Sequence, residues 1–595
     1  MKPSTKTTPV FSFTACIRKF LFYAVLFTPI LFLGCDAVSN KGKLDEVNAN
    51  ENDVHVAFAG GGWRAHTGHS AWIISLLDND SSETVTTLAE AFANVKTISS
   101  NSGGSWFSTM LMYSNSFTND IQAPKAIETW ASTGWIGLQK KHFDTATYHA
   151  GKVTHPCSHH LGRHPGVIEE AEYIKCVSDF YTGSVYYWKK VIDSLIFRDY
   201  PLGSMTLGDP KQAWAADKSL LIAASMLNNS VVLNKVKGED SHQYYQACLQ
   251  NATNPSNMPE LRGDEITEMT TCSAGLPKDV AAVTFTSLGK DAKLTPLAFL
   301  RGLDAEPSLY NIGYTRDYMA EKPPKGYTTI QLPLNHAGVP VMTAAAASSA
   351  AVGFAASEHI IGAFDAAYTF EDEALSFKLG NAAVQFVDTD GMSLDDLVNN
   401  KVVRLADGGP VDNSGVAQMV SFLQLNQQAD GFNIVAFDNV DTASLYLPGG
   451  KGASVGLDIA SLFGAPDPFS GTFVGVTFKV ETPQLQIFEA DAMNNTQVTW
   501  SAPENNGQQI FYTRYHVKTV ANEALGIAAG TSGTLHAFTC ASPNAGIMPN
   551  KGDADFQAYA EMLKYIHGSL NAKNAKGERE GLNYLRQAFG MPVAR

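Results

Sequence analysis

The sequence predicts an α/β fold, because short apolar runs repeatedly end in glycine-rich turns and two of them lead into helical patterns. Residues 54–59 (VHVAFA) read as a buried strand that ends in three glycines, and a helical pattern follows over 66–77. Residues 95–98 form a second strand, with a helical pattern at 106–112. A third apolar run, 402–406 (VVRLA), ends in an acid and two glycines. Strands that alternate with helices are typical of a sheet with helices packed against it.

The composition is that of a large globular chain with an excess of acidic residues. The chain has 595 residues, of which 45% are hydrophobic, enough to bury a sizeable core in one large domain with insertions or in two domains. The formal net charge of -15 argues against nucleic acid as a partner.

The stretch around Ser102 has the pattern of a nucleophile at a sharp strand-to-helix turn. β-branched residues run into a turn of small residues with Ser102 at its apex, and we expect the strand to end at Ser99. Gly103 and Gly104 allow close backbone approach, and the N-terminus of the next helix favours a developing negative charge. The usual turn has glycine two residues before the serine, where this chain has Ser100. A plain polar turn is the alternative.

The three glycines at 60–62 leave backbone N–H groups unobstructed at the end of the first strand. Such groups suit an oxyanion hole or a phosphate cradle, although three glycines alone also form flexible turns. Arg64 follows closely, and its guanidinium fork matches phosphate in two-point geometry. The alternative for Arg64 is that it pins the loop through a buried carboxylate.

Asp407 ends the third apolar run and is followed by two glycines, which would hold one carboxylate at the edge of a sheet. There it would be able to take a proton from Ser102, although Asp-Gly-Gly alone is most often a turn. His536 offers a rival arrangement, because serine, acid and histidine then occur in the chain order of α/β-hydrolases. We expect His536 to lie at the end of a strand.

These blocks resemble, in order along the chain, the catalytic domain of the cytosolic phospholipases A2 and fungal phospholipases B, within the patatin-like superfamily. Residues 60–65 (GGGWRA) are similar to the family's Gly-Gly-Gly-Phe-Arg-Ala loop, and 102–106 (SGGSW) to its Ser-Gly-x-x-Trp block. Residues 407–409 (DGG) resemble the patatin Asp-Gly-Gly. Residues 347–354 (ASSAAVGF) resemble a segment that lines the patatin site, and 431–438 (GFNIVAFD) the strand after the aspartate.

The resemblance implies a Ser102–Asp407 dyad that acts without histidine. It also implies an oxyanion hole formed by the amides of Gly61 and Gly62, and a lipid phosphate bound by Arg64. The expected activity is hydrolysis of carboxylic esters in phospholipids or lysophospholipids through an acyl-enzyme, at a membrane surface and with no metal or cofactor. The alternatives are a triad esterase and a non-catalytic surface lipoprotein that binds lipid or protein.

The resemblance also implies the fold and the domain organisation. We expect a patatin-like or cytosolic phospholipase A2-like central sheet flanked by helices over 54–595, with a cap or lid inserted at about 120–330. Within the insert, Asp209–Pro210 is expected to open a helix that reaches Met226. Histidines crowd into 142–164, but their spacing matches no structural zinc pattern, so a loop is favoured over a metal site.

The N-terminus has the pattern of an export signal. Basic residues precede an apolar run at 20–33, which is short for a bilayer span and suits a signal-peptide core. Gly34 before Cys35 resembles a bacterial lipoprotein cleavage and acylation site, with plain secretion or a retained anchor as alternatives. We assign 1–35 to the signal and 36–53 to a polar tether. The expected protein is exported, either anchored in the cell envelope or secreted.

Two further patterns concern the core and the cysteines. Aromatic and aliphatic residues recur at helical spacing between Phe556 and Leu570, which favours a core helix over a membrane contact. In an oxidising compartment Cys157/Cys176 and Cys248/Cys272 are candidate disulfides that leave Cys540 free.

Overall fold

The structure is a computed structural model that describes part of the chain, and its described residues lie in one compact unit, Asn48–Arg595. The export signal with Cys35, most of the polar tether, the two cysteine pairs and most of the histidine-rich segment lie outside the described residues. The described residues are 53–77, 86–152, 192–227, 280–289, 309–313, 327–331, 340–349, 376–379, 384–386, 402–425, 431–446, 454–465, 472–473, 476–477, 485–522, 525–549 and 553–592.

The elements alternate between strands and helices along the first part of the chain. The strands are β1 (Val54–Phe58), β2 (Val95–Asn101), β3 (Ser219–Leu227), β4 (Val280–Ser287), β5 (Leu309–Gly313), β6 (Tyr327–Gln331), β7 (Ser376–Leu379), β8 (Val384–Phe386), β9 (Val402–Asp407), β10 (Phe432–Val440), β11 (Leu445–Tyr446), β12 (Val455–Gly456), β13 (Thr472–Phe473), β14 (Val476–Thr477), β15 (Trp500–Ser501), β16 (Gln509–Lys518) and β17 (Ser532–Ala541). The α-helices are α1 (Gly62–Leu77), α2 (Leu88–Ala91), α3 (Ser102–Tyr113), α4 (Asn115–Gln122), α5 (Ile127–Thr133), α6 (Trp135–Lys152), α7 (Val341–Ser348), α8 (Gly409–Asp412), α9 (Val416–Leu425), α10 (Leu457–Ser461), α11 (Ala490–Asn494), α12 (Asp553–Asn571) and α13 (Glu580–Ala588).

A 13-stranded sheet with helices packed against it confirms the α/β prediction. Its central strands run parallel in the order β17-β10-β1-β2-β3, and antiparallel strands extend it at β16 and at β4. Because the strands β1, β2 and β10 are parallel, their carboxyl ends meet at one edge of the sheet. In open α/β sheets, ligands bind outside that edge.

Both faces of the sheet are covered, as the alternation along β1 shows. Val56 and Phe58 pack in a cluster with residues of α1, α3 and α12, whereas Ala57 packs in a second cluster with residues of α9. A strand alternates its side chains between faces, so each cluster belongs to one face. All 16 residues of α1 are buried, because it lies between the sheet and α12.

Strands β2 and β9 meet end to end along one edge of β3. The last residue of β2, Asn101, pairs with Ala223, and the last residue of β9, Asp407, pairs with Ala224, the next residue of β3. The other edge of β3 is occupied by β4 over its whole length. The two strands run in opposite directions, so their carboxyl ends face each other at this junction.

The strands expected at 54–59, 95–98 and 402–406 are confirmed, with ends that differ by a few residues. Strand β2 continues to Asn101 rather than ending at Ser99, because it pairs with β1 and β3 on both sides. The two helices that follow β1 and β2 also form, each beginning four residues earlier than expected, at Gly62 and Ser102.

The helix expected from Asp209 to Met226 is wrong, because the second part of that stretch, from Ser219, is β3. The apolar run Ser219–Leu227 lies inside the sheet between β2 and β4, and periodicity alone does not distinguish a buried strand from a buried helix. Strands β4 and β5 also lie within the range expected to form an inserted cap, yet they belong to the central sheet. That range therefore contributes part of the sheet itself.

The C-terminal part of the described chain matches its prediction. Phe556, Tyr559, Leu563, Ile566 and Leu570 are buried on α12, which packs against α1. The expected core helix is confirmed. Cys540 is a buried free thiol on β17, as expected.

Candidate active site

Ser102 lies at a strained turn between β2 and α3. Its φ of 48° is in the left-handed region that residues with side chains rarely adopt. Such strain costs about 1–3 kcal/mol and persists only where the surrounding structure holds it. Its N–H donates to Ser348 Oγ at 2.9 Å, which fixes the first turn of α3. The side chain of Ser102 is 8% exposed at the mouth of the helix. A serine held in this way presents its hydroxyl at the edge of the sheet.

The turn after Ser102 admits only glycine, because it packs against backbone. A Cβ at Gly103 would lie 2.2 Å from the carbonyl oxygen of Gly62, and one at Gly104 would lie 2.3 Å from the carbonyl oxygen of Phe58. The start of α3 therefore sits directly on the loop that follows β1. This close approach of the backbone explains why glycine occupies both positions after Ser102.

The glycine loop leaves two amides in its middle without an acceptor. The N–H of Gly60 donates to the Asn413 carbonyl and that of Trp63 to the Ile547 carbonyl, both at 2.9 Å. Between them, Gly61 and Gly62 have φ of 124° and 56°, and within the described part of the chain their N–H groups donate to nothing. Neighbouring N–H groups held by fixed flanks suit a developing oxyanion.

Asp407 reaches Ser102 because β9 ends against the end of β2. Its carboxylate accepts a hydrogen bond from the Gly409 N–H at 2.7 Å, and the Ser102 and Asn101 side chains lie close enough to favour its ionised form. Burial raises the pKa of Asp407 to about 6, and the nearby charge of Asp458 acts in the same direction. The carboxylate is therefore mostly ionised at neutral pH and is a stronger base than an ordinary aspartate.

Two asparagines link the glycine loop to the acid, and reasoning from sequence did not identify them as site residues. Asn101 Nδ2 donates to Asn413 Oδ1 at 2.8 Å, and Asn413 Nδ2 donates to Asp458 Oδ2 at 2.7 Å. The Asn413 carbonyl also holds Gly60. The available signal was position, because Asn101 directly precedes the nucleophile and Asn413 closes the turn after Asp407.

Ser348 lies in the block that the sequence placed along the site. Its Oγ accepts from the Ser102 N–H and bonds Ser105 Oγ at 2.9 Å, and its carbonyl accepts from the Gly408 N–H at 3.3 Å. The end of α7 thus braces both the nucleophile turn and the acid turn. Residues 350–354 of the same block lie outside the described residues.

Arg64 is buried and tied to backbone. Its Nε donates to the Asn439 carbonyl at 2.9 Å and its Nη1 to the Ala545 carbonyl at 3.2 Å, with Asp441 at 3.9 Å from Nη1. Its Nη2 points to the glycine loop, 3.5 Å from where a Cβ of Gly61 would stand. Two of its nitrogens link the carboxyl end of β10 to the segment that follows β17, and the third faces the loop.

His536 lies far from the dyad, so the structure speaks against a triad built on it. It sits in the middle of β17, not at the expected strand end, and the register through β10 and β1 aligns it with Ile98 of β2. Three strand spacings, about 14 Å, and four residues along β2, about 13 Å, therefore separate it from Ser102. Its Nδ1 bonds the Tyr512 hydroxyl at 2.8 Å, and burial lowers its pKa to about 3.

The described residues contain no group of three or more side chains suited to hold a metal ion. His142, the first histidine of the crowded segment, bonds Asp199 Oδ2 through Nε2 at 2.6 Å. No helix among the described residues is both long and apolar enough to cross a membrane.

The fold and the site define an α/β protein with a serine and a buried aspartate side by side next to a glycine loop, at the carboxyl edge of parallel strands. No protein-family model matches the chain, and neither a characterised protein nor a solved structure matches it.

Proposed function

We propose that the protein is a serine acyl hydrolase that cleaves carboxylic esters of phospholipids or lysophospholipids, with a patatin-like or cytosolic phospholipase A2-like catalytic domain. One observation carries the proposal: the strained Ser102 follows the end of β2, and the buried carboxylate of Asp407 stands beside it at the facing end of β9. A nucleophile within reach of a base is the signature of covalent catalysis. The free amides of Gly61 and Gly62 beside it add the third component of acyl transfer.

The proposed cycle uses residues of this chain alone. Ser102 Oγ attacks the ester carbonyl as its proton passes to Asp407, and the oxyanion is held by the amides of Gly61 and Gly62. Collapse breaks the ester C–O bond, and the departing alcohol takes the proton from Asp407. Water then attacks the acyl-enzyme, gives one proton to Asp407, and the proton returns to Ser102 Oγ as the fatty acid leaves.

The phospholipid class is supported by Arg64 and by the resemblance of the loop that contains it. Because Nε and Nη1 of Arg64 are held by backbone carbonyls, its Nη2 is fixed beside the glycine loop. A phosphate next to the scissile ester would meet a preorganised cation there.

The dyad is tested with a panel of a diacyl phospholipid, a lysophospholipid and nitrophenyl butyrate, with products identified by mass. Ser102→Ala and Asp407→Asn should each lower turnover by roughly three orders of magnitude or more, because they remove the nucleophile and its base. His536→Gln should keep most of the activity, since His536 is remote, and Ser116→Ala controls for a change at an exposed serine.

Two outcomes contradict the proposal. A His536→Gln variant as inactive as Ser102→Ala would restore the triad. A folded wild-type protein that hydrolyses no ester in the panel would favour a non-catalytic protein that binds lipid or protein.

We also propose that the protein is exported and anchored through an acylated Cys35, which would bring the site to lipid. The apolar run at 20–33 and Gly34 before Cys35 support this. The wild-type protein should fractionate with membranes and its N-terminal peptide should carry lipid mass, whereas Cys35→Ser should be released. If both proteins fractionate alike, the acylation proposal fails and secretion stays open.

A further inference from the structure

Asn101 is the fully buried last residue of β2, and its side chain bonds residues of two other segments of the site, Asn413 and Ser348. Its Nδ2 donates to Asn413 Oδ1 at 2.8 Å, and Asp407 lies next to it, because the two residues pair with consecutive residues of β3. Its Oδ1 accepts from Ser348 Oγ at 3.3 Å. An asparagine amide offers two donors and a carbonyl acceptor, so these two bonds leave one N–H that can serve the neighbouring carboxylate of Asp407.

The packing around Asn101 fixes the amide in this orientation. A Cβ at Gly408 would lie 2.3 Å from Asn101 Oδ1, and one at Gly60 would lie 3.0 Å from Asn101 Nδ2. The turn after the acid and the loop before α1 therefore both press on the same amide group. Only a short, planar group with donors on one side and an acceptor on the other meets these neighbours.

We propose that Asn101 is the positioning residue of the dyad, which holds the Asp407 carboxylate toward Ser102 and couples it to the glycine loop through Asn413. The inference rests on the proposed function. The coupling is geometric, because Asn413 accepts from Asn101 through its side chain and from the Gly60 N–H through its carbonyl. A single amide thus sets the relative position of the base and the loop amides.

The charge balance at Asp407 makes this role measurable. The groups that face its carboxylate are the Ser102 hydroxyl, the Gly409 N–H and Asn101, which favour ionisation, and Asp458, which opposes it. Without the Asn101 donor, one fewer group counteracts the effects of burial and of the Asp458 charge on the pKa of Asp407. The pKa of Asp407 should then rise further above its ordinary value.

The test is the pH profile of kcat/KM on nitrophenyl butyrate, with wild type, Asn101→Ala and Asn101→Ser. The acid limb should move to higher pH by about one to two units in Asn101→Ala, as loss of a donor to a charged group predicts. It should move less in Asn101→Ser, whose hydroxyl retains one donor. Asn522→Ala is the matched control, because Asn522 is a buried asparagine with hydrogen bonds away from the site.

A second readout does not depend on turnover. The protonated carboxyl band of Asp407, assigned by its loss in Asp407→Asn, is titrated by difference infrared spectroscopy in wild type and in both Asn101 variants. If the wild-type protein hydrolyses no ester, the proposed function fails while this titration still tests Asn101. An acid limb or a carboxyl titration that stays in place, or moves to lower pH, in Asn101→Ala overturns the positioning role, even where activity falls. If Asn101→Ala does not fold, the same criterion applies to Asn101→Ser.

Discussion

At the scale of single residues, one side chain can both stabilise a loop and face a ligand. Arg64 stabilises the structure around the glycine loop with two of its three nitrogens. From the sequence, two roles were possible for Arg64: it could bind phosphate, or it could hold the loop through an ion pair with a buried carboxylate. The structure places backbone carbonyls of Asn439 and Ala545 on Nε and Nη1 instead, and the Asp441 carboxylate is farther away. Every residue has a backbone carbonyl, so the sequence does not indicate which carbonyls accept hydrogen bonds from Arg64.

Arg64→Lys separates the two roles of that side chain. We expect phospholipid hydrolysis to fall at least tenfold more than hydrolysis of nitrophenyl butyrate, because a lysine ammonium cannot keep two backbone bonds and also face a phosphate. The lost buried hydrogen bonds should also lower the free energy of unfolding by about 1–3 kcal/mol, measured by urea denaturation. Equal loss of activity on both substrates would mean that Arg64 only holds the loop, and the phospholipid assignment would then lack support from it.

At the scale of elements, contact between β10 and β12 buries the carboxyl group of Asp438. Asp438 is fully buried on β10, neither of its oxygens has a hydrogen-bond partner among the described residues, and a Cβ at Gly456 would lie 1.9 Å from Oδ2. Burial raises the pKa of Asp438 well above its ordinary value, and the charge of Asp458 adds to the effect. The sequence block around Asp438 predicted the strand correctly, yet the covering strand β12 is too short to be read from a pattern.

Asp438→Asn should therefore change how stability depends on pH. Between the ordinary pKa and the raised one, the folded protein binds more protons at Asp438 than the unfolded chain, so stability falls as pH rises through that window. An asparagine side chain does not titrate, so the variant lacks this pH dependence. The free energy of unfolding of the variant relative to wild type should therefore increase from pH 5 to pH 8, by no more than about 1.4 kcal/mol per pH unit. Urea unfolding at both pH values measures it, and a difference that does not vary with pH would contradict the assignment of a raised pKa.

At the scale of the whole molecule, the local parts of the fold were predictable and the long-range pairings were not. Short-range sequence patterns predict the strands with clear ends and the two helices after β1 and β2. They also predict the buried stripe of α12. The position of β3 does not, because an apolar run buried on both faces has no strand period. The exclusion of His536 depends on register through four strands, which no local pattern records.

The meeting of β2 and β9 on β3 has a consequence for how the protein is made. The strand that ends at Asn101 and the template strand β3 precede the acid by well over a hundred residues, and Asp407 enters the chain only at position 407 of 595. A chain still being synthesised or exported thus has its serine long before its base. Under the proposed function, the dyad cannot assemble before β9 has been made and has paired with β3.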